Sequence, residues 1–238
     1  MVEKSDDKLR FDGPVVLVGA SPAVTPERLA TIDPQWPVIA VDGGLHTALA
    51  AGITPQLVIG DMDSVGQIPD GLTAIRLEGQ DDTDLEKALT AMNAPMIIGF
   101  GFMDGRFDHA LAAIHALTRL QREIPVLLVG STDILVCPAM DSAAGKAGDM
   151  AISLPVGTRF SVWPFGEQHF RHSTGLLWPL DDLQMAPGRL VGTSNRVSAP
   201  DITIEAGAGD GYAVIMPAAC YALVLPTFVS AITPSNSA

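Results

Sequence analysis

Residues 37–64 have the sequence PVIAVDGGLHTALAAGITPQLVIGDMDS, and this stretch decides the fold that we predict. Two apolar runs, Pro37–Asp42 and Leu57–Gly60, flank Gly44–Ala51, which has a helical pattern. Short continuous apolar runs on either side of a helix are typical of parallel strands that are buried on both faces. The stretch therefore predicts a β-α-β unit.

The same alternation extends over the first half of the chain. It predicts further strands at Val15–Gly19, Pro95–Gly99 and Val126–Gly130, and further helices at Pro26–Ile32, Asp84–Met92 and Asp108–Arg122. Strands that alternate with helices form a parallel sheet covered on both faces. We therefore expect an α/β domain with an open parallel, Rossmann-like sheet over residues 12–138.

The pattern changes after residues 137–148, a segment that Pro138, Gly145 and Gly148 interrupt. Short strands are predicted at Asp149–Leu154, Arg159–Phe165, Arg189–Val191, Asp201–Glu205, Gly211–Met216 and Tyr221–Leu225. Many short strands separated by turn residues indicate a small antiparallel β-sandwich, which we expect over residues 147–232.

Composition excludes several classes of partner. The 238 residues carry a net charge of −13, which disfavours binding to nucleic acid or to an anionic membrane. An anionic substrate would need metal cations to mediate its binding. Cys137 and Cys220, the only two cysteines, suggest neither a zinc site nor a disulfide scaffold. No signal-peptide core and no membrane-spanning apolar stretch is present, so we expect a cytoplasmic protein.

Acidic side chains stand where the predicted strands end. Asp42 closes one strand, Asp61 and Asp63 follow another, and Asp84 opens a helix. Ligands of open α/β sheets bind at the carboxyl ends of the strands. Crowded carboxylates repel one another unless a cation holds them, and Mg²⁺ prefers a few carboxylates together with water and phosphate oxygens. Asp61, Asp63 and Asp84 are therefore candidate magnesium ligands.

Each of these features also has a structural interpretation. Thr83 and Glu86 match a capping box, and Asp108 is suited to cap the helix that follows it. Lys87 and Arg106 are suited to contact phosphate oxygens, but they are equally suited to ordinary solvated ion pairs. The gathering of all these residues at the strand ends of one sheet favours the functional interpretation.

Five ordered motifs resemble those of the thiamine diphosphokinase family. They are Asp42-Gly-Gly with Leu57–Ser64, then Asp81–Lys87, Gly105–His109, Gly175–Leu180 and Gly192–Asn195. Leu45-His46, Arg196-Val197 and the stretch Phe100–Asp104 depart from the family's pattern. The resemblance extends from about Val15 to Val224. It implies an α/β domain followed by a β-sandwich, and a homodimer with active sites shared between the subunits.

The resemblance also implies roles for individual residues. Asp61, Asp63 and Asp84 would hold magnesium, and the catalytic set would also include Arg106 and Asp108. The nucleotide and its phosphates would contact Asp42, Gly43, Thr83, Lys87, Arg106 and His109. Thiamine would be bound by Ser194 and Asn195, and Trp178 would stack on its ring.

The implied reaction transfers the β,γ-diphosphoryl group of ATP to the hydroxyl of thiamine, with Mg²⁺ as cofactor. Three alternatives stay open: transfer to another hydroxymethyl acceptor such as a pterin, metal-dependent hydrolysis of phosphate esters, and a non-enzymatic module that binds nucleotide or thiamine. Analysis of the products separates transfer from hydrolysis, and turnover separates an enzyme from a binding module.

Overall fold

The computed structural model describes residues 3–5, 8–77, 79, 81–119 and 124–232. The chain divides into two compact units. The first comprises Met1–Leu120 and Leu128–Ser131, and the second comprises Gln121–Leu127 and Thr132–Ala238. No helix in the described ranges combines the length and the apolar character that a membrane span requires.

The first unit contains eight strands and four helices among its described residues. The strands are β1 (Glu3–Ser5), β2 (Lys8–Arg10), β3 (Val15–Val18), β4 (Val38–Val41), β5 (Leu57–Gly60), β6 (Thr73–Arg76), β7 (Met92–Asn93) and β8 (Ile97–Phe100). The helices are α1 (Pro26–Leu29), α2 (Gly44–Ala50), α3 (Asp84–Thr90) and α4 (Phe107–Arg119). The helix that we predicted at Asp108–Arg122 is α4, and residues 120–122 lie outside the described part of the chain.

Parallel pairing joins strands β3, β4, β5, β6 and β8. Strand β3 pairs with β4 and with β8, β4 pairs with β5, and β5 pairs with β6. Every residue of β3, β4, β5 and β8 is buried, which explains why these strands are continuous apolar runs. Strand β6 is mostly exposed and has no such run, so the pattern did not predict it.

Helix α2 packs directly against these strands. Ala40, Leu45, Val58 and Val65 are fully buried and form one apolar cluster. The helix begins at Gly44, where a Cβ atom would lie 1.8 Å from the carbonyl oxygen of Val18. Any residue other than glycine would force the helix away from the sheet.

Strands dominate the second unit. They are β10 (Asp133–Cys137), β11 (Met140–Asp141), β12 (Lys146–Ala147), β13 (Met150–Ser153), β14 (Arg159–Pro164), β15 (Gln168–Thr174), β16 (Leu183–Met185), β17 (Gly192–Arg196), β18 (Asp201–Gly209) and β19 (Tyr212–Pro217). Helix α5 (Tyr221–Ile232) ends the unit, and strand β9 (Val126–Val129) has residues in both units.

Two antiparallel arrangements account for most of the second unit. Strands β17, β14, β19 and β10 pair in that order. Strands β11, β12, β18, β15 and β16 form another series, and β13 also pairs with β18. Two strand predictions are wrong: Tyr221–Leu225 begins α5, and Arg189–Val191 precedes β17. A short apolar run such as Tyr221–Leu225 does not distinguish a strand from a buried helix by periodicity alone.

The predicted fold class, an open parallel Rossmann-like domain followed by a separate sandwich, is wrong. The parallel strands belong to one mixed sheet of ten strands in the order β17-β14-β19-β10-β9-β8-β3-β4-β5-β6. Strands make up 37% of the described residues and helices 20%, so this part of the chain is mostly β. The fold prediction failed because β10, a mostly buried run, pairs antiparallel with β19, which is far from it in the sequence. The predicted boundaries at residues 12–138 and 147–232 stay a prediction.

Candidate active site

Three carboxylates meet at the ends of the parallel strands. One oxygen from each of Asp42, Asp61 and Asp84 lies within 4.8 Å of the other two. Asp42 directly follows β4, Asp61 directly follows β5, and Asp84 is the first residue of α3. Because β4 and β5 are parallel neighbours, their carboxyl ends lie at the same edge of the sheet, as the sequence predicted.

Asp42 is the most buried of the three carboxylates. Its relative exposure is 9%, its backbone has φ 44°, and its Oδ1 atom has no hydrogen-bond partner among the described residues. A left-handed backbone at a non-glycine residue is strained, and such strain clusters at functional sites. A buried carboxylate oxygen without a partner is costly unless a ligand satisfies it. Three converging carboxylate oxygens fit Mg²⁺, a hard cation that prefers oxygen ligands.

Lys87 contacts two of these carboxylates. Its Nζ atom lies 3.4 Å from Oδ2 of Asp61 and 3.4 Å from Oδ1 of Asp84, and its side chain is only 7% exposed. Burial works to lower the pKa of Lys87, but the charge of Asp84 and the hydrogen bonds to both carboxylates outweigh it, so the pKa lies above its ordinary value. Lys87 is therefore a buried cation, and the solvated ion pair that we considered does not describe it.

The environment shifts the pKa values of Asp61 and Asp84 in opposite directions. The backbone N–H of Asp63 donates to Oδ1 of Asp61 over 3.1 Å, and this bond, with the help of Lys87, holds the pKa of Asp61 below its ordinary value. Burial raises the pKa of Asp84, and the charge of Asp61 raises it further. The two carboxylates therefore stand in different electrostatic environments although both contact Lys87.

Helix α3 is fixed at its start by a capping box, which confirms that prediction. The Thr83 N–H donates to Oε2 of Glu86 over 3.0 Å, and the Glu86 N–H donates to Oγ1 of Thr83 over 3.3 Å. Arg119 of α4 reaches across to Oε1 of Glu86 at 3.2 Å and also pairs with Asp82. These contacts hold Asp84 and Lys87 in place, since both lie in the first turns of α3.

The carboxylates open into a cavity of about 450 Å³, a size that suits a small-molecule ligand. Its polar lining residues include Asp42, Asp61, Asp84, Lys87, Asp108 and His109, together with Gly43 and Thr83. Its apolar lining residues include Gly19, Ala20, Gly101, Phe102, Ala112 and Ala113. One cavity thus combines carboxylates and an ammonium group with apolar side chains.

Phe102 is a lining residue that the sequence reasoning missed. A Cβ atom at Gly19 would lie 2.7 Å from Cε1 of Phe102, so the aromatic ring rests on the glycine that follows β3. Asp104, in the same loop, accepts hydrogen bonds from the N–H and the hydroxyl of Ser131 at 2.8 and 2.6 Å, which fastens the loop. The only available signal was the departure of the stretch Phe100–Asp104 from the family's pattern.

The structure does not bring Asp63 and Arg106 into the same cluster. Asp63 is exposed, and its carboxylate is outside the group formed by Asp42, Asp61 and Asp84. The Arg106 side chain is 73% exposed and pairs with Asp108 through two hydrogen bonds, which lowers the pKa of Asp108. Asp108 and His109 line the cavity; Arg106 is not among its described lining residues.

The residues predicted to bind thiamine lie in the second unit. Trp178 lies between β15 and β16 with 56% of its surface exposed, whereas Asn195 in β17 is only 5% exposed. Ser194 has φ 61° and donates its N–H to Oγ of Ser161 over 3.0 Å. The register between β14 and β17 shifts here, as in a β-bulge. Bulges re-aim side chains and occur next to active sites.

Comparisons with known proteins agree with this arrangement. A model described as thiamin pyrophosphokinase, catalytic domain, matches residues 31–128. A second, described as thiamin pyrophosphokinase, vitamin B1 binding domain, matches residues 152–209. The chain belongs to the thiamin pyrophosphokinase family. The resemblance noted from the five motifs is thereby confirmed.

Relatives from distant organisms are similar over much of the chain. Thiamin pyrophosphokinase 1 of Caenorhabditis elegans is 26% identical over 70% of this chain and 74% of its own length. Thiamine pyrophosphokinase 1 of Arabidopsis thaliana is 30% identical over 63% of this chain and 61% of its own length. The crystal structure of thiamin pyrophosphokinase from Geobacillus thermodenitrificans superposes with a TM-score of 0.69, at 24% identity, over 86% of this chain and 97% of that one. The similarity to this crystal structure supports the fold.

Proposed function

We propose that the protein transfers the β,γ-diphosphoryl group of ATP to the hydroxyl of thiamine, giving thiamine diphosphate and AMP, with Mg²⁺ as its cofactor. Membership of the thiamin pyrophosphokinase family makes it an enzyme that transfers pyrophosphate to thiamine. Two observations carry the finer proposal: the carboxylate oxygens of Asp42, Asp61 and Asp84 converge, and the buried Oδ1 atom of Asp42 has no hydrogen-bond partner among the described residues.

Asp42, Asp61 and Asp84 would hold the cation. Asp63 stays a proposed ligand because it follows Asp61 by two residues and its exposed side chain is free to turn. A bound Mg²⁺ would neutralise phosphate charge that the acidic lining alone would repel. The net charge of −13 is consistent with such mediation.

Lys87 is the described cation best placed to meet phosphate oxygens, because it lies in the cavity between Asp61 and Asp84. The apolar lining residues suit the base of ATP, and Phe102 supplies an aromatic surface for stacking. Gly43, Thr83 and His109 line the same cavity and stay proposed nucleotide contacts.

In the transfer step, the thiamine hydroxyl oxygen bonds to the β-phosphorus of ATP. The bond from that phosphorus to the oxygen it shares with the α-phosphate breaks, and AMP leaves with that oxygen. The hydroxyl proton needs an acceptor, and we propose Asp108, which lines the cavity. Arg106 pairs with Asp108 and orients its carboxylate, and the same ion pair lowers the pKa of Asp108, which makes it a weaker base.

Thiamine would be bound by residues of the second unit. The exposed ring of Trp178 would stack on the cationic thiazolium, and the Ser194 hydroxyl would donate or accept one hydrogen bond. We accordingly keep residues 12–138 as the proposed ATP and magnesium domain and residues 147–232 as the proposed thiamine domain.

We also propose that the protein is a homodimer. Phe107 and Leu111, one turn apart on α4, are 76% and 51% exposed, and exposed apolar side chains at helical spacing suit an interface. Light scattering on the purified chain tests this proposal. A molar mass of about twice the 24.9 kDa chain supports it, and a monomer at assay concentration contradicts it.

A chromatographic assay with ATP, Mg²⁺ and thiamine tests the reaction directly. We expect AMP and thiamine diphosphate to form in equal amounts and to disappear when Mg²⁺ is chelated. Parallel reactions with a hydroxymethyl pterin and without acceptor provide the controls. Folded protein that produces no thiamine diphosphate, or that releases phosphate without acceptor, would contradict the proposal.

A further inference from the structure

Three hydrogen bonds tie the side chain of Asn195 to the backbone. Its Oδ1 atom accepts from the N–H of Trp178 at 3.1 Å and from the N–H of Arg196 at 2.7 Å. Its Nδ2 atom donates to the carbonyl oxygen of Trp178 at 2.7 Å. Both polar groups of the Trp178 backbone are therefore held by one buried amide.

The segment around Trp178 is fastened at further points. The N–H of Leu177 donates to the carbonyl oxygen of Arg196 over 2.8 Å, and Leu176 forms an isolated β-bridge with Val197. On the other side, the N–H of Leu180 donates to Oγ of Ser173 over 2.8 Å. The backbone is thus fixed although the indole ring is 56% exposed.

These bonds leave Asn195 little capacity for a substrate. An asparagine amide has two acceptor positions on oxygen and two N–H donors, and three of the four are used by Trp178 and Arg196. The side chain is only 5% exposed, so the remaining N–H has almost no access to a ligand. Direct binding of thiamine by Asn195 does not fit this geometry.

We propose that Asn195 is a positioning residue that acts on thiamine through Trp178. The proposal rests on the stacking role of Trp178 given under the proposed function. A ring whose backbone is already fixed loses less conformational freedom when it stacks on a ligand, so binding is stronger than with a mobile ring. Asn195 therefore lowers the KM for thiamine without touching it.

A double-mutant cycle in the full-length protein separates this role from direct contact. We expect Asn195→Ala to raise the KM for thiamine about fivefold or more, a loss of about 1 kcal/mol in affinity, with kcat and the KM for ATP unchanged. In the Trp178→Ala background the same substitution should add nothing. Independent, multiplicative effects of the two substitutions would overturn the proposal.

Two further variants control for loss of structure and for charge. Gln168 is also a fully buried amide, with three hydrogen bonds to the backbone of His169, Gly207 and Gly211. Gln168→Ala should lower stability in a comparable way but leave the KM for thiamine unchanged. Asn195→Asp places a carboxylate oxygen against the Trp178 carbonyl and should weaken binding. Tighter binding of the thiamine cation by Asn195→Asp would indicate direct contact and overturn the proposal.

Fluorescence tests the role of Asn195 independently of activity. The chain has three tryptophans, so Trp36→Phe and Trp163→Phe leave Trp178 as the single fluorophore. We expect Asn195→Ala to lower the anisotropy of Trp178 and raise its quenching by acrylamide, whereas Gln168→Ala should change neither. Unchanged anisotropy would overturn the positioning role. If Trp178→Ala leaves the KM for thiamine unchanged, the stacking proposal fails, and this fluorescence result still decides whether Asn195 fixes Trp178.

Discussion

The Nζ atom of Lys87 lies 3.4 Å from Oδ2 of Asp61, and the lysine side chain is almost completely buried. The same ammonium group lies 3.4 Å from Oδ1 of Asp84, so one cation balances two carboxylates near the carboxyl ends of the parallel strands. A buried lysine in such a position is available to phosphate oxygens as soon as another cation takes over the carboxylates. This relationship connects the acidic cluster with the proposed chemistry.

Lys87→Met should lower turnover by a factor of about 100 or more, because a preorganised charge at the phosphates is lost. It should also destabilise the free protein by about 1–2 kcal/mol; the partial exposure of Asp61 and Asp84 keeps the loss below that for a fully buried pair. Steady-state kinetics and urea denaturation provide both values. Lys146→Met is the matched control, since Lys146 pairs with Asp149 at 3.0 Å. Equal activity of the two variants would contradict the role of Lys87.

Phe102→Ala should raise the KM for ATP about tenfold, since stacking of a base on an aromatic ring contributes about 1–3 kcal/mol. Gly19→Ala should have a similar effect, because its Cβ atom would occupy space within 2.7 Å of the Phe102 ring. Inhibition constants for AMP and for inorganic tripolyphosphate distinguish base from phosphate contacts. We expect only the AMP constant to rise; a parallel rise for tripolyphosphate would assign Phe102 a structural role.

Ser194→Gly should be more stable than Ser194→Ala by about 1 kcal/mol, because φ 61° is unfavourable for any residue with a Cβ atom. Both variants lose the hydroxyl, and we expect both to raise the KM for thiamine. Ser153 in strand β13 provides the control: there the glycine variant should be the less stable one. The same order at both positions would contradict the strain at Ser194.

We expect the folded protein to lose stability at alkaline pH because Tyr212 is buried. Burial raises its pKa far above the ordinary value, and its hydroxyl donates to the carbonyl oxygen of Gly148 over 3.1 Å. The unfolded chain releases this proton near pH ~10 while the folded chain keeps it, so unfolding becomes easier as pH rises above that value. Between pH 8 and pH 10.5, the wild type should lose about 1 kcal/mol more than Tyr212→Phe in urea denaturation. Identical losses would contradict the prediction.

Local patterns predicted the parts of the site that depend on neighbouring residues. The buried runs that became β3, β4, β5 and β8 were recognised because parallel strands with two covered faces are apolar throughout. Asp61 directly follows the recognised strand β5, so its place at the carboxyl edge of the sheet could be predicted.

Those patterns could not predict the pairing of strands that lie far apart in the sequence. Nothing in the sequence of β10 specifies that it pairs with β19, so the sheet was expected to stop after the parallel strands. Likewise, the three bonds of Asn195 depend on how β17 approaches Trp178, and a motif of four residues does not contain that information. Asp42 was predicted to contact the nucleotide, and its place beside Asp61 and Asp84 goes with a left-handed backbone that the motif did not reveal.

We propose that Asp42, Asp61 and Asp84 together bind a divalent cation. Calorimetric titration of Mg²⁺ into the wild type, Asp42→Asn, Asp61→Asn and Asp84→Asn tests it most directly, with Asp70→Asn, an exposed carboxylate elsewhere, as the control. We predict binding to the wild type and to Asp70→Asn, and a loss of at least about tenfold in affinity in each of the other three. Unchanged affinity in Asp42→Asn and Asp61→Asn would show that these carboxylates do not bind the cation.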